Sequence, residues 1–207
     1  MYLPACCLVA SASSYKKEIL TMKQFIATLT VGLAFTQLLH AAEYSQIQAD
    51  KSTLGFVYKQ MGVAVDGSFK KFSAQLKFDP ARISAAKATL DIDIASIDTG
   101  SDEGNDEVAG KAWFNTKAFP QAKFESSAFK ALGGNKYEVS GKMQIKGRTQ
   151  NVSAPFTLNQ QGNQAIVDGT FVLKRADFAI GEGSWSDFGT VANEVQIKFH
   201  FLANTGK

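Results

Sequence analysis

Apolar and polar residues alternate with a period of two through most of this chain. In the stretch TLGFVYKQMG, which begins at Thr53, the positions Leu54, Phe56 and Tyr58 are apolar, and the next in that register is Gln60. Ala88, Leu90, Ile92 and Ile94 alternate with Lys87, Thr89, Asp91 and Asp93. Tyr137, Val139, Gly141, Met143 and Ile145 alternate with a polar series from Lys136 to Lys146, and Val195, Ile197, Phe199 and Phe201 with Gln196, Lys198 and His200. Similar runs occupy 72–78, 122–132, 152–158 and 165–173. Each reads as a strand with one buried and one wet face.

Turn signals separate the runs at Asp79-Pro80, Gly133-Gly134-Asn135, Lys146-Gly147, Gln161-Gly162-Asn163 and Gly181-Glu182-Gly183. Phe69 and Phe72 are out of register with each other, so a bend at Lys70-Lys71 is needed to bring both inward. Residues 101–112 lack the alternation and carry Asp102, Glu103, Asp106 and Glu107 near their start. Ser101 or Asp102 can cap a helix there, and acids in the first turn suit its dipole. The expectation is all-β: about eight antiparallel strands and one short helix, closed into a barrel that leaves no sticky edge. A barrel of that size either fills with side chains or holds one small ligand.

The N-terminus reads differently. Lys23, then an apolar run from Phe25 to Leu39, then Ala41 and Ala42 form the layout of a secretory signal peptide. At 15 residues the run is short for a membrane span. Residues 1–21 are therefore expected to be an extension upstream of a true start at Met22, residues 22–42 the signal, and residues 43–207 the barrel domain. The product is expected in the periplasm or secreted, without stable membrane insertion. Both cysteines, Cys6 and Cys7, precede the cleavage site, so a hydrophobic core alone must hold the domain. At ~165 residues it can bury roughly 70% of its unfolded surface.

Charge and chemistry exclude more than they suggest. Removing Lys16, Lys17, Lys23 and Glu18 takes the formal charge from +3 to +1, with no basic block to mark a nucleic-acid partner. His200 is the only histidine beyond the leader and falls on the polar side of its strand, so a Ser-His-Asp relay has no inward base. The acids between Asp98 and Glu107 lack the spacing of a calcium loop, and no zinc constellation or phosphate loop exists. Neither catalytic residues, metal nor cofactor are expected. What stands out is phenylalanine: 14 of 16 lie beyond the leader, with Trp113 and Trp185. The stretch RADFAIGEGSWSDF puts glycines among aromatics, as a flexible rim beside a mouth would.

Four stretches together resemble the YceI-like family over essentially the whole domain. They are Phe56 through Gly62 to Gly67-Ser68-Phe69 and Phe72; Ser96-Ile97-Asp98-Thr99 with Trp113-Phe114-Asn115, Pro120 and Phe124; Gly141 to Thr149 with Val152; and Phe171 with Arg175 to Gly181 and the closing strand from Glu194. The resemblance implies a lipocalin-like barrel and an elongated apolar pocket for isoprenoid chains or fatty-acid-like amphiphiles. It brings no catalytic residues. Many members carry His where Gln60 stands, and an Arg-Asp-x-His-Leu run where this chain has Gly104 to Val108. No particular head group carries over.

The expected ligand-binding residues are Leu54, Phe56, Tyr58, Gln60, Phe69, Phe72, Leu90, Ile92, Trp113, Phe114, Met143, Phe171, Phe178, Trp185 and Phe199. The expected function is binding or carriage of a long-chain apolar molecule such as a polyisoprenoid, an isoprenoid quinone or a fatty-acid-like amphiphile. The alternative is an interaction or stress/redox accessory module with a filled barrel. The sequence leaves the oligomeric state open, a dimer included.

Overall fold

The computed structural model describes residues 43–206. The segments read as an extension (1–21) and a signal peptide (22–42), with both cysteines, lie outside the described residues. The strand segments are β1 (Tyr44–Ile47), β2 (Thr53–Gln60), β3 (Val63–Phe69), β4 (Phe72–Phe78), β5 (Lys87–Asp93), β6 (Ile97–Asp98), β7 (Gln121–Gly133), β8 (Lys136–Ile145), β9 (Arg148–Gln161), β10 (Gln164–Lys174) and β11 (Glu194–Thr205). Helix α1 (Asp102–Ala109) stands between β6 and β7.

The first six segments are three bent strands. β1 and β2 both pair with β11, β4 pairs with β1, and β3 with β2. β5 then pairs with β4, and β6 with β3. From β5 the ring runs through β7, β8, β9 and β10 to β11, each antiparallel to its neighbour. Counted this way, eight strands close into one barrel with one helix. The bend expected at Lys70-Lys71 separates β3 from β4, where both backbone N–H groups turn to Ser96.

Several hairpin turns use left-handed residues, two of them at both central positions. Met61 and Gly62 turn at φ 50° and 83°, and Lys146 and Gly147 at 50° and 74°. Positive φ at both central residues is the type I′ pattern, whose twist matches the strands it joins. Helix α1 is capped by Ser101, whose hydroxyl accepts the Gly104 N–H at 3.1 Å.

One end of the barrel is packed shut. Phe78 meets Tyr137 edge-on at 5.1 Å, Phe129 meets Phe156 edge-on at 6.2 Å, and Tyr137 stacks on Phe156 at 5.5 Å. Tyr44, Ala165 and Ala203, themselves fully buried, complete this plug. Asp79 pins the turn beneath it, accepting the Ala81 N–H at 2.8 Å and the Arg82 Nε–H at 2.7 Å. The Arg82 hydrogen bond holds the Asp79 carboxyl below the usual range. A depressed carboxylate stabilises the fold above its unfolded value, near 3.9, and loses that contribution as pH falls through its folded value. The urea midpoint is therefore expected to drop below about pH 4. In Asp79→Asn the drop should be shallower; an unchanged acid limb would show that Asp79 is not its source.

Candidate ligand cavity

Above the plug the inward side chains of the strands leave a cavity of about 290 Å³. That is near the lower edge of ligand-pocket sizes, about 300–1,000 Å³. Its wall is almost wholly apolar and takes residues from every strand segment, β1 through β11. Thirteen of the 15 residues picked from the sequence face it: Leu54, Phe56, Tyr58, Gln60, Phe69, Leu90, Ile92, Trp113, Phe114, Met143, Phe171, Trp185 and Phe199.

Phe72 and Phe178 do not. Phe72 shares the inward phase of β4 with Ala74, Leu76 and Phe78, but its ring packs 5.7 Å from that of Phe201 and does not reach the cavity. Phe178 ends a short 3-10 turn and is fully buried in the core around Leu173 and Ile180. Residues that the selection passed over also face the cavity, among them Phe124, Val152, Leu173 and Ile197. They share the inward parity of their strands, so the pattern itself points to them.

The mouth lies at the end that carries the β2–β3 turn, helix α1 and the β10–β11 connection. Exposed Gln60 and Glu107 line the cavity there, beside Gly104 and Val108 of the helix. Gln60 stands at the lip, where its strand ends at the Met61-Gly62 turn, so its amide borders both cavity and water. Tyr58 sits one inward position deeper; its hydroxyl donates to the Thr99 carbonyl at 3.3 Å, and burial raises its pKa above the ordinary value. Asn105 ties the helix to this corner, its Oδ1 accepting the Thr99 N–H at 2.7 Å and the Thr99 hydroxyl at 2.9 Å.

The β10–β11 connection is not the loose rim that its glycines suggest. Arg175, only 2% exposed, pins it from below. Its Nη1 donates to the Ile180 and Gly181 carbonyls at 2.8 and 2.9 Å; its Nη2 donates to Trp185 and Val191 at 2.7 and 2.9 Å. Longer bonds reach Ala192 from Nε at 3.3 Å and Asp187 from Nη2 at 3.4 Å. The guanidinium also lies 5.4 Å from the Trp113 ring centre and 5.0 Å from that of Phe188. Carbonyl dipoles, not a carboxylate, carry this charge, and burial presses its pKa down. Nothing in strand parity marks a basic residue just past a strand for burial.

Lys146 adds a second tie, donating to the Ala179 carbonyl at 2.6 Å and to Glu182 at 2.9 Å. That bond holds the Glu182 carboxyl below its usual range. Trp113 Nε1 is the one buried side-chain polar atom without a hydrogen-bond partner among the described residues.

Few titratable groups reach the cavity: Tyr58, Glu107 and Arg175 line it. His200 lies on the outer face, its Nδ1 2.6 Å from Asp168 Oδ1 on the neighbouring strand. Among the described residues no group of three or more His, Cys, Asp or Glu is placed to hold a metal ion. No described helix is long and apolar enough to cross a membrane.

The YceI-like domain profile matches residues 46–203. The chain belongs to the YceI-like family. A UPF0312 protein of Yersinia pestis (strain Pestoides F) is 30% identical over 165 residues, covering 76% of this chain and 83% of the relative. Among solved structures, Burkholderia cenocepacia BcnA is 49% identical with a TM-score of 0.75, over 77% of this chain and 100% of that one. A polyisoprenoid binding domain from Saccharophagus degradans, implicated in plant cell wall breakdown, is 19% identical with a TM-score of 0.61, over 80% of this chain and 99% of that one. At that identity the likeness concerns the fold.

Proposed function

We propose that this YceI-like protein binds and carries a long-chain apolar molecule, a polyisoprenoid or similar amphiphile, with the chain inside the barrel and the polar end at the mouth. The observation that carries this reading is the continuous apolar cavity, plugged at one end and open beside Gln60 and Glu107. The binding domain of the same fold from Saccharophagus degradans supports it. Residues 22–42, read as an export signal, put its work in the periplasm or outside the cell. The wall offers contact area and no acid–base pair, which suits carriage and not turnover.

Affinity should follow chain length. The net gain per heavy atom of a drug-sized ligand is ~0.3 kcal/mol. With ~1.4 kcal/mol per decade, every four or five carbons should add roughly tenfold until the cavity is full. Fluorescence titration with dansylamides of alkylamines of increasing length measures that slope. A flat response across lengths would favour the other reading, a filled barrel acting as an interaction module.

Gln60 tests the polar end. Gln60→Leu removes an amide at the lip without touching the apolar wall. The chain-length slope is expected to stay, while the preference among head groups on one fixed chain shifts. Equal loss of affinity for every chain length would show that Gln60 holds the wall instead.

A further inference from the structure

Several inward glycines of the barrel wall have no conformational reason to be glycine, Gly67 beneath the Phe56 ring among them. Gly141 on β8 and Gly169 on β10 do not adopt positive φ, and glycine in a strand interior weakens the strand. What they provide is space. A Cβ on Gly169 would overlap the ring of Phe199, its partner across the β10–β11 ladder, and come within 2.7 Å of the Pro155 carbonyl. A Cβ on Gly141 would overlap the Phe124 ring on β7, as well as the Glu125 carbonyl. The rings therefore occupy the room that a side chain would take and lie against the wall.

Phe124 and Phe199 also hold a special level of the barrel. The core consists of two hydrophobic clusters, one around the aromatic plug and one toward the mouth. Among the described residues, Phe124, Phe171 and Phe199 are the only partly buried ones packed against both, and all three face the cavity. They form a girdle at the junction, which a chain entering from the mouth must pass to reach the space above the plug.

We propose that Gly141 and Gly169 set how deep a chain can enter, by letting the girdle rings Phe124 and Phe199 lie back from the lumen. This rests on the reading of the cavity as a chain-binding site and assigns it a length-determining element. A methyl group at either glycine turns a ring toward the axis and closes the deeper half. Chains short enough to stay on the mouth side are unaffected.

The test compares octyl and hexadecyl dansylamides on the native protein, Gly169→Ala and Gly141→Ala. The native protein should bind the hexadecyl probe more tightly. Each alanine variant should lose roughly tenfold or more for hexadecyl, about the contribution of five carbons, and keep its octyl affinity, which also certifies its fold. The double variant Gly169→Ala/Phe199→Leu should regain the long chain. Phe199→Leu alone leaves the backbone as it is. It should favour a phytyl over a hexadecyl probe severalfold, because the shorter side chain widens the girdle for methyl branches. Parallel loss of octyl and hexadecyl binding in a folded variant, or an unchanged phytyl-to-hexadecyl ratio in Phe199→Leu, would overturn the proposal. A native protein that binds neither probe would overturn the chain-binding reading beneath it.

Discussion

Arg175→Leu is expected to be the most damaging single change in the barrel, costing ~3–5 kcal/mol of folding free energy. The leucine fills part of the volume but leaves the carbonyls of Ile180, Gly181, Trp185 and Val191 without their donors. Each buried carbonyl left unpaired costs about 1–3 kcal/mol, and the loop's freedom to turn some of them to water keeps the sum below four full penalties. Against a typical stability of ~5–15 kcal/mol this is a large fraction. For a domain of this size it lowers Tm by roughly 6–20 °C, at about 2–4 °C per kcal/mol. Lysine should not rescue it, because one ammonium cannot reproduce a planar fork that serves several carbonyls. Thermal melts of Arg175→Leu and Arg175→Lys measure this. A shift under about 2 °C would mean that the roof over the mouth is held by Phe178 and Lys146 alone.

Val152→Phe should separate a hollow barrel from a filled one by the sign of what it does to stability. Val152 points inward from β9, is only partly buried, and faces the cavity. In a solid core the added ring is overpacking and costs about 1–3 kcal/mol. In a hollow one it enters free volume and buries its own apolar surface, so stability should hold within about 1 kcal/mol or rise slightly. The same ring takes the place of ligand carbons, and affinity for a hexadecyl probe is expected to fall by roughly tenfold or more. Urea denaturation and probe titration on one sample give both numbers. Lost stability with unchanged binding would contradict a ligand held beside β9.

Much of this site could be read from period two alone. Leu54, Phe56, Leu90, Ile92, Met143, Phe171 and Phe199 face the cavity because each occupies the inward phase of its strand. Phe72 has the inward phase of β4, as the pattern says, but parity gives direction and not reach, and its ring is taken up by Phe201 before it meets the cavity. Phe178 and Arg175 lie in the β10–β11 connection, where no period exists and position depends on contacts distant in the chain. A basic residue there reads as exposed, and only the ring of carbonyls gathered from 180–192 shows why it is buried. The glycines under Phe124 and Phe199 break the pattern at single positions, and a missing side chain gives no hint of the ring that covers it.

Native mass spectrometry of the protein, produced in its own host and purified without detergent, tests the central claim most directly. The expected spectrum shows the polypeptide plus an adduct of lipid mass, which organic extraction releases and an added hexadecyl probe displaces. A bare polypeptide mass, in a protein that then takes up no hexadecyl probe, would contradict a barrel built to hold an apolar chain.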